Sequence, residues 1–261
     1  MAFSNSPLVS YTRLSPNNSG QRKSNIDRIT PHCVVGQISV ESLGNVFSNT
    51  SRQASCNYGI GVDGRVGLYC DEKNRSWCSS SAENDNRAVT IECASDPTHP
   101  YAFNNTVYNK LIDLCVDICK RNGKNKLIWF GDKQKTLSYK PQPNEMVITV
   151  HRWFKNKACP GDWLMSKMTD MVNKVNTKLG SSSISVQPVK ETITSKFPYL
   201  VSINTESLNI RKEPSTSSPV TGTVKKGSKY TIVDERQNGS ILWGKLKSGA
   251  GWISLKFTIK A

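Results

Sequence analysis

No apolar run in the 261-residue chain approaches the ~18 residues needed to cross a bilayer, which excludes a transmembrane helix. Residues 1–25 are polar throughout and lack the apolar core of a secretory signal, so synthesis in the cytoplasm is expected. Histidine is scarce: His32, His99 and His151 are the only three. No cysteine follows Cys159, and the eight cysteines include no Cys-x-x-Cys pair, which argues against a zinc ribbon. Acidic side chains are few as well. Twenty Asp and Glu face 35 Lys and Arg, leaving a net charge of +15. Residues 1–180 hold 23 basic and 15 acidic side chains, a net of +8, and residues 181–261 hold 12 and 5, a net of +7. This balance suits a polyanion, whether nucleic acid, anionic lipid or an acidic cell wall, and charge alone does not choose among them. Hydrophobic residues make up 36% of the chain, enough for a packed core and against a fully disordered one.

The distribution of cysteine and histidine gives the first sign of a domain boundary, because both types stop before residue 160. The second is the polar, small-residue stretch 180–196, which reads as a linker between a domain at 1–179 and another at 197–261. The first part alternates strands with helices. Strands are expected at Ile29–Val35, Ala88–Cys93, Lys126–Phe130 and Met146–His151, and a hairpin flanks Asp63-Gly64. Helices are expected at Val40–Phe47, started by Ser39 or Glu41, at Asn105–Asn122 with Gly123 as its stop, and at Asp162–Leu179. This pattern implies an α/β fold, a mixed central sheet flanked by helices. The last 65 residues carry short β runs separated by Gly, Ser, Pro and Asn, with no helical period, and read as a small all-β barrel.

His32 lies in an early strand, His151 ends another, and Cys159 follows eight residues later, before Pro160-Gly161. Two imidazoles and one thiolate make a set that zinc accepts, with a fourth position left for water in a catalytic site. Taken singly, each also fits a satisfied polar or small core residue.

The segment His151-Arg-Trp-Phe-Lys-Asn-Lys-Ala-Cys159-Pro-Gly161 resembles the closing motif of the zinc-dependent N-acetylmuramoyl-L-alanine amidases of the amidase-2, or peptidoglycan-recognition, superfamily. His32 resembles that family's early ligand, Asn57 to Gly64 its hairpin, and Val89-Thr-Ile-Glu92 its central strand. The resemblance implies Zn2+ held by His32, His151 and Cys159, with Glu92 as general base and Lys157 as stabiliser of the developing oxyanion. It also implies substrate contacts at Asn57, Tyr58 and Trp77. Where one branch keeps a catalytic Tyr this chain has Cys56, and Cys78 stands where some members have a His after the groove Trp. The remaining cysteines are expected to be structural, without disulfides.

Residues 208–233 and the runs around Trp243 and Trp252 resemble bacterial SH3-like domains, which implies a small barrel that binds cell-wall peptide or glycan. Arg211, Lys212, Lys225, Lys226 and Lys229 suit anionic wall polymers. Together the two resemblances imply a phage or prophage endolysin of a Gram-positive host. Such an enzyme is made in the cytoplasm, acts at the wall after release on peptidoglycan, and has no nucleic-acid partner and no membrane span. Two other readings stay open: a non-catalytic wall-recognition protein, and a basic nucleic-acid-binding protein.

Overall fold

The structure, a computed structural model, describes residues 3–180, 197–238 and 241–260. The chain divides into two compact units, Met1–Pro188 and Val189–Ala261. Of the expected linker at 180–196, all but Gly180 lies outside the described residues. No helix among the described residues is long and apolar enough to cross a membrane.

The first unit opens with β1 (Val9–Thr12), β2 (Asn18–Gln21), β3 (Arg28–Cys33) and α1 (Val40–Phe47). Then come β4 (Tyr58–Ile60), β5 (Val66–Leu68), β6 (Asn74–Ser76), α2 (Ala82–Arg87), β7 (Ala88–Cys93) and α3 (Asn105–Arg121). It closes with β8 (Lys126–Ile128), α4 (Lys133–Ser138), β9 (Glu145–Ile148), a one-turn 3-10 helix His151–Trp153 and α5 (Asp162–Lys178). Seven strands form a mixed sheet in the order β1-β5-β4-β7-β3-β9-β8, and β2 pairs with β6 in a separate ribbon.

The period of two along a strand gives this sheet two different faces. Ile29 and Cys33 of β3 and Val89, Ile91 and Cys93 of β7 join the main core, built against Leu111, Leu114 and Ile118 of α3 and Met168, Met171 and Val175 of α5. The opposite face carries Thr30, Thr90 and Thr149, all fully buried and all hydrogen-bonded. Thr30 meets Thr149 at 2.7 Å and accepts from Asn84 Nδ2 at 3.0 Å. α1, capped by Ser39 Oγ accepting from the Ser42 amide, packs Leu43 and Phe47 against Tyr69 and Cys56 in a smaller cluster.

β9 stops at Ile148, and His151 begins the one-turn helix rather than ending a strand. α2 (AENDNR) and α4 (KQKTLS) have too few apolar residues to show a helical period, and both rest on caps, Ser81 and Asp132.

The second unit contains β10 (Tyr199–Ile203), β11 (Ser207–Arg211), β12 (Val220–Lys225), β13 (Lys229–Asn238), β14 (Ile241–Leu246), β15 (Trp252–Ser254) and β16 (Thr258–Lys260). They run β12-β11-β15-β14-β13-β10-β16 with every described pairing antiparallel. Val201, Ile203, Leu208, Ile210, Val224, Ile232, Leu246 and Ile253 form its core. Gly251 sits at φ +136°, and a Cβ there would lie 2.4 Å from the Arg211 carbonyl oxygen, so β15 approaches β11 only with glycine at this place. Trp243 and Trp252 are buried, and the Arg236 guanidinium lies over the Trp252 ring at 5.2 Å.

Leu111 is fully buried in the main core, whereas Leu14 is 52% exposed. Leu111→Ala is expected to cost about 2–5 kcal/mol of stability and Leu14→Ala less than about 0.5 kcal/mol, measured by chemical denaturation.

Candidate active site

In β3 and β7 the parallel register places His32 opposite Glu92, on the polar face and at the carboxyl ends of both strands. β9 lies on the other side of β3, and the chain beyond its end delivers His151. Open α/β sheets bind ligands in this position, outside the carboxyl ends of strands where the chain leaves in opposite directions. The His32 and His151 rings lie 5.0 Å apart, and Cys159 Sγ is 3.3 Å from His32 Nδ1.

The loop that brings Cys159 back is held by Arg152. Its backbone N–H and Nε donate to the Cys159 carbonyl at 3.2 and 3.4 Å, Nη2 donates to the Ala158 carbonyl, and Nη1 pairs with Asp162 Oδ1 at 2.9 Å. Gly161 then turns the chain into α5 at φ +89°, where a Cβ would sit 2.9 Å from the Pro100 carbonyl oxygen. His151 Nε2 lies 3.1 Å from Ser80 Oγ, which leaves Nδ1 for another partner. Ser80 has a left-handed backbone, φ 62°, in a turn whose Cys78 and Ser79 amides both donate to the buried Asp85 carboxylate.

Burial dominates the electrostatics here. It pushes the His32 pKa well down, helped by His151, and lowers His151, helped by the Lys157 ammonium. It raises the Cys159 thiol, together with a hydrogen bond to Cys33. The Glu92 carboxyl is pushed up to about 7 by burial, against the opposing pull of Cys78 and Arg52. Glu92 Oε1 lies 3.9 Å from His32 Nδ1 and accepts from Cys78 Sγ at 3.8 Å, and its Oε2 is buried with no partner among the described residues.

Two sets of donor atoms lie within 4.8 Å of one another, His32-His151-Cys159 and His32-Cys78-Glu92. Zn–N bonds near 2.0–2.1 Å and a Zn–S bond near 2.3 Å, at tetrahedral angles, set N···S at about 3.6 Å. The 3.3 Å between His32 Nδ1 and Cys159 Sγ fits that spacing. The first set is two neutral imidazoles and one thiol and leaves the Glu92 carboxylate unligated, whereas the second would use one of its oxygens as a ligand.

These groups open into a cleft of about 610 Å³ that Trp77 and Lys157 also line. Trp77 is half-buried and fixed by a 2.7 Å bond from Nε1 to Ser19 Oγ. Asn57 and Tyr58 are not in the cleft, which corrects the expectation of substrate contacts. Tyr58 pairs with Ile91 in β7 and so faces the apolar side; its hydroxyl donates to Glu72 Oε1 at 2.7 Å and accepts from the Ser6 amide. Asn57 is fully buried between Arg22, Thr90 and the carbonyls of Cys70 and Asp71. Conversely, sequence reading missed Arg52, Arg75, Ser80 and Asp85 along the cleft. Their segments carry no period, and the one available signal was the Ser81 cap three residues before Asn84.

The profile of the N-acetylmuramoyl-L-alanine amidases matches residues 22–162, more than half of the chain and all of the candidate centre. The chain belongs to the N-acetylmuramoyl-L-alanine amidase family. Residues 206–258 of this amidase match the bacterial SH3 domain profile. Among solved structures it is similar to the Staphylococcus aureus hydrolase AmiA in complex with its ligand, at 14% identity, 69% of this chain, 89% of that one and a TM-score of 0.45. It is also similar to a mutant endolysin from Bacillus subtilis, at 13% identity, 64% and 96% coverage and a TM-score of 0.42. A third similarity is to the endolysin N-acetylmuramoyl-L-alanine amidase LysCS from Clostridium intestinale, at 13% identity, 61% and 90% coverage and a TM-score of 0.40. No curated protein matches it. The amidase is thus a peptidoglycan hydrolase with an α/β catalytic fold and a C-terminal all-β SH3-like region.

The amidase needs glycine at 161 twice over, for its backbone angle and for its clearance from Pro100. Gly161→Ala is expected to destabilise the fold by about 1–3 kcal/mol, read as a lowered midpoint in denaturant.

Proposed function

We propose that this amidase is a zinc-dependent endolysin that cuts the amide between N-acetylmuramic acid and L-alanine in Gram-positive peptidoglycan. The observation that carries the zinc assignment is the meeting of buried His32 with half-buried His151 and Cys159 in one cluster. Two lowered imidazole pKa values keep the histidines neutral, and neutral imidazole is the form that ligates. A divalent cation entering here would favour the Cys159 thiolate that burial alone disfavours. When bound, zinc supplies Lewis acidity to water and to the scissile carbonyl.

The chain's own groups then divide the work. Glu92, at the end of β7 beside His32, takes a proton from the attacking water and returns it to the leaving alanine nitrogen. Its buried Oε2, which has no partner among the described residues, is available for that transfer. Lys157, on the exposed lip of the cleft, offers an ammonium to the developing oxyanion. Trp77 forms a rigid wall for the bound chain.

In this reading the catalytic domain spans 1–179, a linker 180–196, and the SH3-like region 197–261 holds the enzyme at the wall. Exposed Lys212, Lys225 and Lys229 favour anionic wall polymers there. The endolysin role is supported by the two-part architecture, an amidase profile followed by a bacterial SH3 profile.

Digestion of Gram-positive walls is expected to release new alanine amino groups without new reducing sugar ends, and a chelator is expected to stop it. Reducing ends, or full activity in chelator, would overturn the proposal. Glu92→Gln is expected to keep one zinc per chain while slowing turnover by about 10²–10⁴-fold. Equal loss of metal and rate would make Glu92 a ligand instead. Lys157→Ala is expected to lower kcat by about 10²–10³-fold with metal content unchanged.

A further inference from the structure

We infer that the glycan strand of the substrate lies in a second cavity, of about 480 Å³, that adjoins the catalytic cleft across Ser80 and Ser81. The inference rests on the amidase reading and adds a subsite to it. The scissile amide hangs from the lactyl group of one sugar in a polymer, so the flanking sugars of that strand must run off from one side of the reacting carbonyl. The peptide leaves on the other side. A cleft for this bond therefore needs two arms of different chemistry that meet at the ligand cluster.

The structure has such a pair. One arm carries the cations Arg52, Arg75 and Lys157, suited to an acidic peptide. The other is lined by Trp153, Phe154 and Leu137, with Arg28, Lys133, Glu83 and Ser81 at its sides. The one-turn helix that starts at His151 itself presents Trp153, and Phe154 follows it. Trp153 is stacked on Trp129 with centroids 5.2 Å apart and planes 5° from parallel, so the platform is rigid before any ligand arrives. Both indoles and Phe154 are only half-buried. Pyranose rings present C–H faces that pack on the negative face of an aromatic ring, and their hydroxyls need donors and acceptors at the rim. Serine, glutamate and lysine around an indole and a phenyl ring meet both needs, and of the two cations in this cavity Arg28 is buried and already donates to Asn84 Oδ1 at 3.1 Å.

The test compares two substrates on the full chain: polymeric peptidoglycan and a peptide bearing a single N-acetylmuramic acid. Phe154→Ala, and separately Lys133→Ala on the exposed first turn of α4, are expected to raise KM for the polymer roughly three- to tenfold. Turnover of the single-sugar substrate is expected to stay within about twofold of wild type. Peptide-free glycan chains are expected to inhibit the wild-type enzyme on the polymer competitively and to inhibit Phe154→Ala less. The inference is overturned if both variants treat both substrates as wild type does, if both substrates suffer equally, or if peptide-free glycan does not inhibit. Failure of the wild-type protein to release alanine termini from either substrate would overturn the amidase reading itself, and this subsite with it.

Discussion

The pairing of β3 with β7 in parallel register, His32 against Glu92, is the constraint on which the site depends. One face of these strands is committed to Ile29, Cys33, Val89 and Ile91 against α3 and α5, so the alternate residues must face the other way. A slip of one residue would send His32 and Glu92 into the main core and bring Cys33 and Cys93 to the cleft. The hydrophobic effect thus fixes where the polar groups point, although it acts on their neighbours. Thr30, Thr90 and Thr149 show how that face is otherwise filled, by small hydroxyls: Thr30 and Thr149 bond each other and Asn84, and Thr90 bonds Ser76 and Asn57. Only at the strand ends does the satisfaction fail, where Glu92 Oε2 and His32 Nε2 are left buried without partners among the described residues.

Polar atoms buried without partners cost stability, on the order of 1–3 kcal/mol each. A fold holds such groups when the surrounding structure over-determines their positions. That surround is visible here as a second network behind the sheet. Arg22 donates to Asn57 and to the Glu72 carbonyl, Asn57 accepts from the Thr90 amide, and Tyr58 and Arg121 both donate to the Glu72 carboxylate. Asn57 and Tyr58 therefore serve the site by bracing β4 and β7. The family resemblance of the segment Asn57–Gly64 made them look like cleft residues, but the alternation of β4 turns Tyr58 to the side away from Glu92.

This contrast shows what the sequence could and could not disclose. Long amphipathic helices such as α3 and α5, and apolar strands such as β7, declare themselves by period, and their bounds fell within a residue or two of expectation. The order of His32, Glu92, His151 and Cys159 along the chain was legible because the family motif ties residue type to spacing. What stayed hidden were elements held by caps and by long-range hydrogen bonds. β2 (NSGQ) and β6 (NRS) have no apolar residue to mark them, and they exist because they pair with each other. Arg52 reaches the cleft from the end of a one-turn 3-10 helix, Arg75 from the short strand β6 and Ser80 from a turn, segments too short and polar for a period to mark them.

The motif around His151 also carries more than ligation. In His151-Arg-Trp, three consecutive residues face three different tasks because a one-turn 3-10 helix rotates each about 120° from the last, and Phe154 follows as its C-cap. His151 meets His32, Arg152 turns back to hold the Cys159 and Ala158 carbonyls, Trp153 stacks on Trp129, and Phe154 faces the second cavity. A strand continued through His151 would have put alternate residues on one side and could not have spread them this way. The end of β9 at Ile148 is thus a functional feature: by releasing the chain from the sheet three residues before His151, it lets one short turn join the ligand cluster, the returning loop and the aromatic wall.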